Sequence, residues 1–446
     1  MVKQNMHAVK LIISLYLILF FFMLSIAWGG QEKKEADITG EILTLEDCIR
    51  IAVEQHPDIR AKIAEAKAGK LRAKQSFSSF LPSLDFSSGY FKSGYDRTSG
   101  TAGTKSRRNY TVGFFLSQNI FDFGRSLSSW RMSKNEAEAV SYLLNTTGQE
   151  IVYQVIDEFY GHLKALELKK VNQEAFALAE FYLKQIKGFY KAGTRPKIDV
   201  ARAEVDLSNA KVALIKATNG VRLSIVGLNN AMGIGINGPV FYQIKDEPEL
   251  VKQDYNIDDL FLLACQNRPE LFELNARLMA GEEKIKFFKS EYLPKISGRM
   301  SYDWKGGSSP LDREWRAGIT MDVPLFSGLD TSYRLKEAGE NLISVKSRVN
   351  SLKLKIKKEI EQGVLNLKEA GEIVSATKTA VEQAKENLRL AQGRYKVGLA
   401  TIIDLTDARV LFLEANTDSI TALYDYKIGE ATIKKAVGTI PFRIEN

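Results

Sequence analysis

The second half of the chain is a diverged copy of the first. Leu43–Pro82 aligns without a gap to Tyr255–Pro294: Asp47, Ala52, Pro57, Ala64, Ala68, Gly69, Lys74, Leu81 and Pro82 recur as Asp259, Ala264, Pro269, Ala276, Ala280, Gly281, Lys286, Leu293 and Pro294. Downstream, Tyr190-Lys191-Ala192-Gly193 returns as Tyr395-Lys396-Val397-Gly398, Ile198-Asp199 as Ile403-Asp404, and Ala231-Met232-Gly233 as Ala436-Val437-Gly438. Matches that keep one order along a chain mark a duplication, and a duplication constrains a fold more than any local propensity. Two units this long are too few for a solenoid, so two similar halves packed side by side are expected. The repeats read as 43–238 and 255–440, joined by a linker at 239–254.

Proline placement divides each repeat. None of the 10 prolines falls between Ser83 and Arg195 or between Leu325 and Ile440. Helix interiors exclude proline at a cost of roughly 3 kcal/mol, so these tracts are where long helices can form. Ile151, Val152, Val155, Ile156, Phe159, Leu163 and Leu166 step by three and four, and so do Val345, Val349, Leu352, Ile356, Ile360 and Val364. That spacing is one apolar stripe on an amphipathic helix. It predicts helices over about 126–191 and 330–397, each on the order of 100 Å long at 1.5 Å per residue. The links AGTRP and VGLAT then turn the chain into partner helices at about 197–232 and 401–437, so each half carries a coiled-coil hairpin.

Ahead of each long helix the period changes to two. Ile296, Met300, Tyr302 and Trp304 alternate with Ser297, Arg299, Ser301 and Asp303; Trp315, Ala317, Ile319, Met321 and Val323 alternate with Arg316, Gly318, Thr320 and Asp322. Leu84, Phe86, Ser88 and Tyr90, then Tyr110, Val112, Phe114 and Leu116, do the same less cleanly. One apolar and one polar face describe a half-exposed strand. Loops are expected at Ser93–Arg108 and Lys305–Glu314. Four strands are too few to close a barrel, since familiar ones need about eight. Two soluble hairpins remain the alternative to a barrel shared between subunits. The apolar strand face and the character of the N-terminus favour the shared barrel, with three chains supplying about twelve strands.

At that N-terminus, Lys3 and Lys10 precede an uncharged apolar run, Leu11–Trp28, and small residues at Ala27 and Gly29 precede the polar QEKKEAD. Residues 1–29 read as a secretory signal peptide. A retained anchor is the alternative, because the apolar run approaches the length of a membrane span. No later run is long and apolar enough for a transmembrane helix, so the mature chain would enter a membrane as strands. The formal charge is +8, but Lys and Arg alternate with Glu and Asp as on solvated helix faces, which argues against a nucleic-acid partner. His7, His56 and His162 with Cys48 and Cys265 have no zinc-site spacing; two buried free thiols are expected rather than a disulfide. Gly233–Gly238 spells G-x-G-x-x-G but follows a helix and leads to Pro239, so it reads as a link rather than a nucleotide loop. His56 is expected to end a helix before Pro57, as Arg268 does before Pro269. No catalytic constellation and no cofactor pattern emerges, and the chain does not read as an enzyme.

These residues resemble the TolC-type outer-membrane efflux proteins. The resemblance rests on LTLEDCIRIAVEQHPDI at 43–59, the strands opened by prolines at 82 and 294, SQNIFDFG at 117–124 with DVPLFSG at 322–328, YKAGTRPKIDVARAEVDL at 190–207 and YKVGLATIIDLTDAR at 395–409. It covers nearly the whole mature chain. It implies a mainly α fold in which duplicated helical hairpins form an α-barrel tunnel and four strands per protomer join a trimeric transmembrane β-barrel. It also implies a homotrimer in the outer-membrane lipid with a long periplasmic extension. As partners it implies a periplasmic adaptor and an inner-membrane transporter, with efflux or type I secretion as the function. A membrane-anchored coiled-coil scaffold without a pore is the competing class; it has no need of the four alternating segments.

The resemblance further implies an acidic ring at the periplasmic entrance, in a D-x-x-D pattern that Asp404 and Asp407 match. In the first half Asp199 matches and Arg202 replaces the second acid; the arginine expected before the second-half pair is Ala400 here, while Arg195 holds the equivalent first-half place. Asp199 and Asp404 also lie in first helical turns, where a carboxylate favours the dipole, and Thr401 with Asp404 fits a capping signature. Asp407, one turn on, is the better gate candidate. Gly193, Thr194, Gly398 and Leu399 sit on the turns themselves, as tight-turn formers and candidate adaptor contacts.

Overall fold

The computed structural model describes residue 40 and residues 42–95, 105–235, 242–245, 255–307 and 311–442. The signal-peptide reading of residues 1–29, most of the 239–254 linker and the end of the Gly233–Gly238 pattern lie outside them. In chain order the elements are β1 (Ile42–Leu43), α1 (Leu45–Gln55), α2 (Pro57–Phe77), β2 (Ser83–Tyr95), β3 (Lys105–Phe121), α3 (Arg125–Lys191) and α4 (Lys197–Met232). They continue with β4 (Gln243–Ile244), α5 (Ile257–Asn267), α6 (Pro269–Ser290), β5 (Lys295–Gly306), β6 (Asp312–Asp322), α7 (Asp330–Lys396) and α8 (Ile402–Val437). The duplication is exact where it sets length: α3 and α7 both have 67 residues, and α4 and α8 both have 36. Among the described residues no helix is long and apolar enough to cross a membrane.

Prolines and their neighbours shape the root of each half. Pro57 and Pro269 open α2 and α6 at the first helical position, where a missing N–H is harmless. The residues before them form elbows with the preceding helices, as expected for His56 and Arg268. The end of each hairpin seats on its own half's elbow: a side chain at Gly233 would collide with His56, and one at Gly438 would press on the Asn267–Arg268 backbone. Arg268 donates to the carbonyls of Lys435 and Ala436 at 3.2 and 3.1 Å, satisfying the open end of α8, and pairs with Glu359 of α7 at 3.0 Å.

The predicted stripe on α3 is buried from Ile151 to Leu163, and Leu166 is half-buried. On α7 only Ile356 and Ile360 of the predicted stripe are fully buried, against Ala264, Leu271, Ile433 and Val437. The two halves meet along α3 and α6, where Tyr142 stacks on Phe272, and along α3 and α8, where Lys164 pairs with Asp425 at 3.0 Å, Lys435 with Glu150 at 2.7 Å, and Tyr153 bonds Thr432 at 3.2 Å. His162 bonds Ser224 within the first hairpin at 2.7 Å. Cys48 is buried, and burial pushes its thiol up to about 12, with Tyr242 close by; Cys265 is only half-buried. Both thiols are free.

The four long strands form one antiparallel sheet in the order β2-β3-β5-β6. The loops are shorter than the alternation predicts, because backbone pairing continues to Tyr95↔Lys105 and Lys305↔Asp312, past the point where apolar residues stop. Register places Leu84, Leu116, Met300 and Ala317 in one row and Phe86, Phe114, Tyr302 and Trp315 in the next, all on one face. That face is uncovered: Trp315 is 67% and Ile319 74% exposed. The opposite face carries Ser83, Ser117, Arg299 and Asp303, the last buried beside Lys305 at 3.1 Å and packed over Gly113, where a Cβ would displace it.

Candidate functional site at the helical tips

Each hairpin reverses at a glycine with a left-handed backbone, Gly193 at φ 73° and Gly398 at φ 81°. The Thr194 amide bonds back to the Phe189 carbonyl at 3.0 Å and the Leu399 amide to Arg394 at 2.8 Å, closing the last turns of α3 and α7. This is the glycine-dependent helix ending in which the residue after the glycine reaches back over the final turn. The Thr194 hydroxyl makes a further bond to Phe189 at 2.9 Å, and Leu399 stands exposed.

The helices that follow start differently. Thr401 caps α8: its hydroxyl accepts the Asp404 amide at 3.2 Å, and the Asp404 carboxylate accepts the Thr401 amide at 2.7 Å and the Thr401 hydroxyl at 2.8 Å. These bonds, the backbone one foremost, hold the Asp404 carboxyl below its ordinary pKa. α4 starts from Pro196, which caps nothing with its side chain. Asp199 is half-buried in its first turn, and Arg202 is exposed where the second acid would stand. Asp407 is exposed three residues beyond Asp404, so the two carboxylates share a helix face.

Behind the turns the two hairpins share one apolar cluster. Tyr182, Leu183 and Ile186 of α3 and Ala203 of α4 pack with Leu388 and Tyr395 of α7 and Ile402, Leu405 and Ala408 of α8. Arg195 crosses the seam, its guanidinium 4.8 Å from the centre of the Tyr395 ring. Tyr395 is 4% exposed and its hydroxyl has no hydrogen-bond partner among the described residues; burial raises its pKa, and Asp199 adds to that while Arg195 opposes it. Its first-half counterpart Tyr190 is 44% exposed. The repeated YK-x-G motif marks both tyrosines, but a repeat cannot say which copy is buried. The structure thus brings Arg195 and Asp199 to the second-half tyrosine, while Asp404 is engaged by its own cap and Asp407 faces outward. Among the described residues no cluster of His, Cys, Asp and Glu is arranged to hold a metal.

The pattern of the family described as outer membrane efflux protein matches residues 48–234 and 260–439, one match per repeat. Outer membrane protein TolC of Salmonella enteritidis is 22% identical over 417 residues, covering 86% of this chain and 80% of its own. Alkaline protease secretion protein AprF of Pseudomonas aeruginosa is 20% identical over 420 residues, covering 89% and 85%. Among solved structures, the Campylobacter jejuni CmeC outer membrane channel superposes with a TM-score of 0.80 at 17% identity, covering 89% of this chain and 85% of the channel. The chain spans most of each relative, so the likeness is that of whole proteins. With both repeats matched and the fold shared, the chain belongs to the outer membrane efflux protein family: it is a channel of the outer membrane with a long periplasmic helical extension, a trimeric transport protein that works with efflux-pump components, and not an enzyme.

Proposed function

We propose that three copies close a barrel of about twelve strands across the outer membrane and gather their hairpins into one periplasmic tunnel. The observation that carries this is the sheet. Its apolar face is uncovered, the outer edges of β2 and β6 are unpaired among the described residues, and its strands of 11 to 17 residues are long enough to cross a bilayer. An open apolar sheet with two free edges is an aggregation hazard in water and a barrel segment in lipid. The pore-free scaffold leaves it unexplained. Light scattering in mild detergent is expected to give a trimer, and outer-membrane extract to show heat-modifiable migration; a monodisperse monomer would rule out the shared barrel. Residues 1–29 are expected to be absent from the mature protein, which N-terminal sequencing checks.

At the far end, the tips at 190–200 and 395–405 form the entrance. Asp404 and Asp407 from three chains surround its axis, with Asp199 beside them and Arg195 tying the tip closed through Tyr395. Gly193, Thr194, Gly398 and Leu399 offer the turns to a periplasmic adaptor, and an inner-membrane transporter loads solutes or polypeptides into the tunnel. Exposure of the four turn residues and the outward position of Asp407 support these roles.

A further inference from the structure

A cleft of about 360 Å³ lies between α3, α4, α7 and α8, one helical turn and more above the tips. Its walls are apolar, from Leu178, Ala210, Ala213, Leu388 and Phe412, and one cation, Arg409, enters it. Arg409 is half-buried and sits 5.1 Å from the centre of the Tyr182 ring. Among the described residues no hydrogen bond or ion pair reaches its guanidinium, although it carries five donors. Two carboxylates also line the cleft. Asp206 already accepts the Thr406 hydroxyl at 2.9 Å, and Glu174 is exposed at its edge.

A guanidinium stays charged and is costly to withdraw from water without an acceptor. Burial does act on Arg409, pulling its pKa below the ordinary value, with Asp206 only partly opposing. Stacking on Tyr182 fixes the plane of the group but leaves its N–H donors unused. A half-open, mainly apolar cleft with one convergent charged donor set, in the size range of small-molecule sites, is a ligand pocket rather than a packing defect.

We propose that this cleft binds an amphipathic anion: a molecule with an apolar body and a single carboxylate or sulfonate head. The body lies against Ala210, Ala213 and Phe412, and the head takes the Arg409 guanidinium in a paired hydrogen bond. Because α3 and α4 come from the first half and α7 and α8 from the second, the occupant touches both hairpins and ties them together.

The test uses 4-benzoylbenzoate, an amphipathic anion that inserts into nearby C–H bonds when irradiated, with neutral benzophenone as the same body without the head. Trimers in lipid nanodiscs are labelled over a range of concentrations and mapped by peptide mass spectrometry. Saturable labelling of peptides spanning 171–178, 206–213 and 406–416 is expected from the anion and not from benzophenone. Arg409→Gln is expected to lower that labelling about tenfold, the usual loss for one charged hydrogen-bonding partner. Ala210→Leu with Ala213→Leu fills the cleft from the opposite wall, keeps Arg409, and is expected to remove the labelling as well. Heat-modifiable migration confirms that each variant is a trimer. Labelling that does not saturate, that benzophenone reproduces, or that survives both changes overturns the proposal. If Arg409→Gln does not form trimers, the leucine pair decides alone: retained labelling overturns the site and lost labelling supports it.

Discussion

The two tips come from one ancestral hairpin and do opposite things. The first-half tip spends its charges inward: Arg195 reaches across to the Tyr395 ring, and Asp199 lies half-buried beside it. The second-half tip carries its own helix cap in Thr401 and Asp404 and presents Asp407 outward. A proline starts α4 where a threonine starts α8, so one helix is opened by a fixed φ and the other by hydrogen bonds. Equal backbones therefore do not make equal sites. The duplication preserves length and turn geometry, while a few side chains differ in whether they pack across the tips or stand in solvent.

The strongest way to break this contrast is to neutralise the outward acids. Asp404→Ala with Asp407→Ala is expected to weaken trivalent-cation block of single channels about tenfold or more, since clustered carboxylates act on a multivalent ion together. Asp199→Ala is expected to change it by about threefold or less, because the residue three on is Arg202. Equal effects from the two tips in planar bilayers would erase the division of labour. The next effect in size concerns the inward tie. Arg195→Ala removes a cation–ring contact of about 0.5–2 kcal/mol per chain and is expected to raise the open fraction of the channel. Because the contact is half-buried, the difference from wild type is expected to persist in high salt, where an exposed ion pair would be screened. The smallest effect is the cap. Thr401→Val is expected to speed amide exchange at Asp404 about fivefold, with no matching site in α4. The depressed pKa of Asp404 fixes the sign with pH: the cap is complete above the ordinary carboxylate pKa and is lost only as pH falls through the lower folded value. Exchange at this helix start that quickens on raising the pH, beyond the base-catalysed rate, would contradict it.

Much of the architecture was legible because it follows from exclusion and period. Missing prolines located α3 and α7, repeated glycines located the turns, and alternation located the strands. The stripe on α3 is buried along most of its length, as its spacing predicts. The matching stripe on α7 is only partly covered, since amphipathicity tells which face is apolar and not which neighbour is present. The strands run past the alternating residues because backbone pairing does not need apolar side chains. At the tips, the cap of Thr401 followed from spacing alone. The burial of Tyr395 and the approach of Arg195 did not, because both depend on how one half lies against the other. Arg409 left no local signal: it is one arginine among many on an amphipathic helix, and only the convergence of four helices makes it unusual.

The elbow at Arg268 bears on how the chain folds. Its guanidinium holds carbonyls 167 and 168 residues further along, at the last turn of α8. Contacts of that sequence separation form late, because the intervening chain must be ordered before they yield anything. The second half therefore cannot lock at its root until almost its final residue has been made. The long helices can form locally and early, but the anchoring of α7 and α8 awaits the last turn of α8. A chain cut short before Lys435 would be left with a cation at the elbow, an open helix and exposed apolar stripes, a species set to aggregate rather than to assemble.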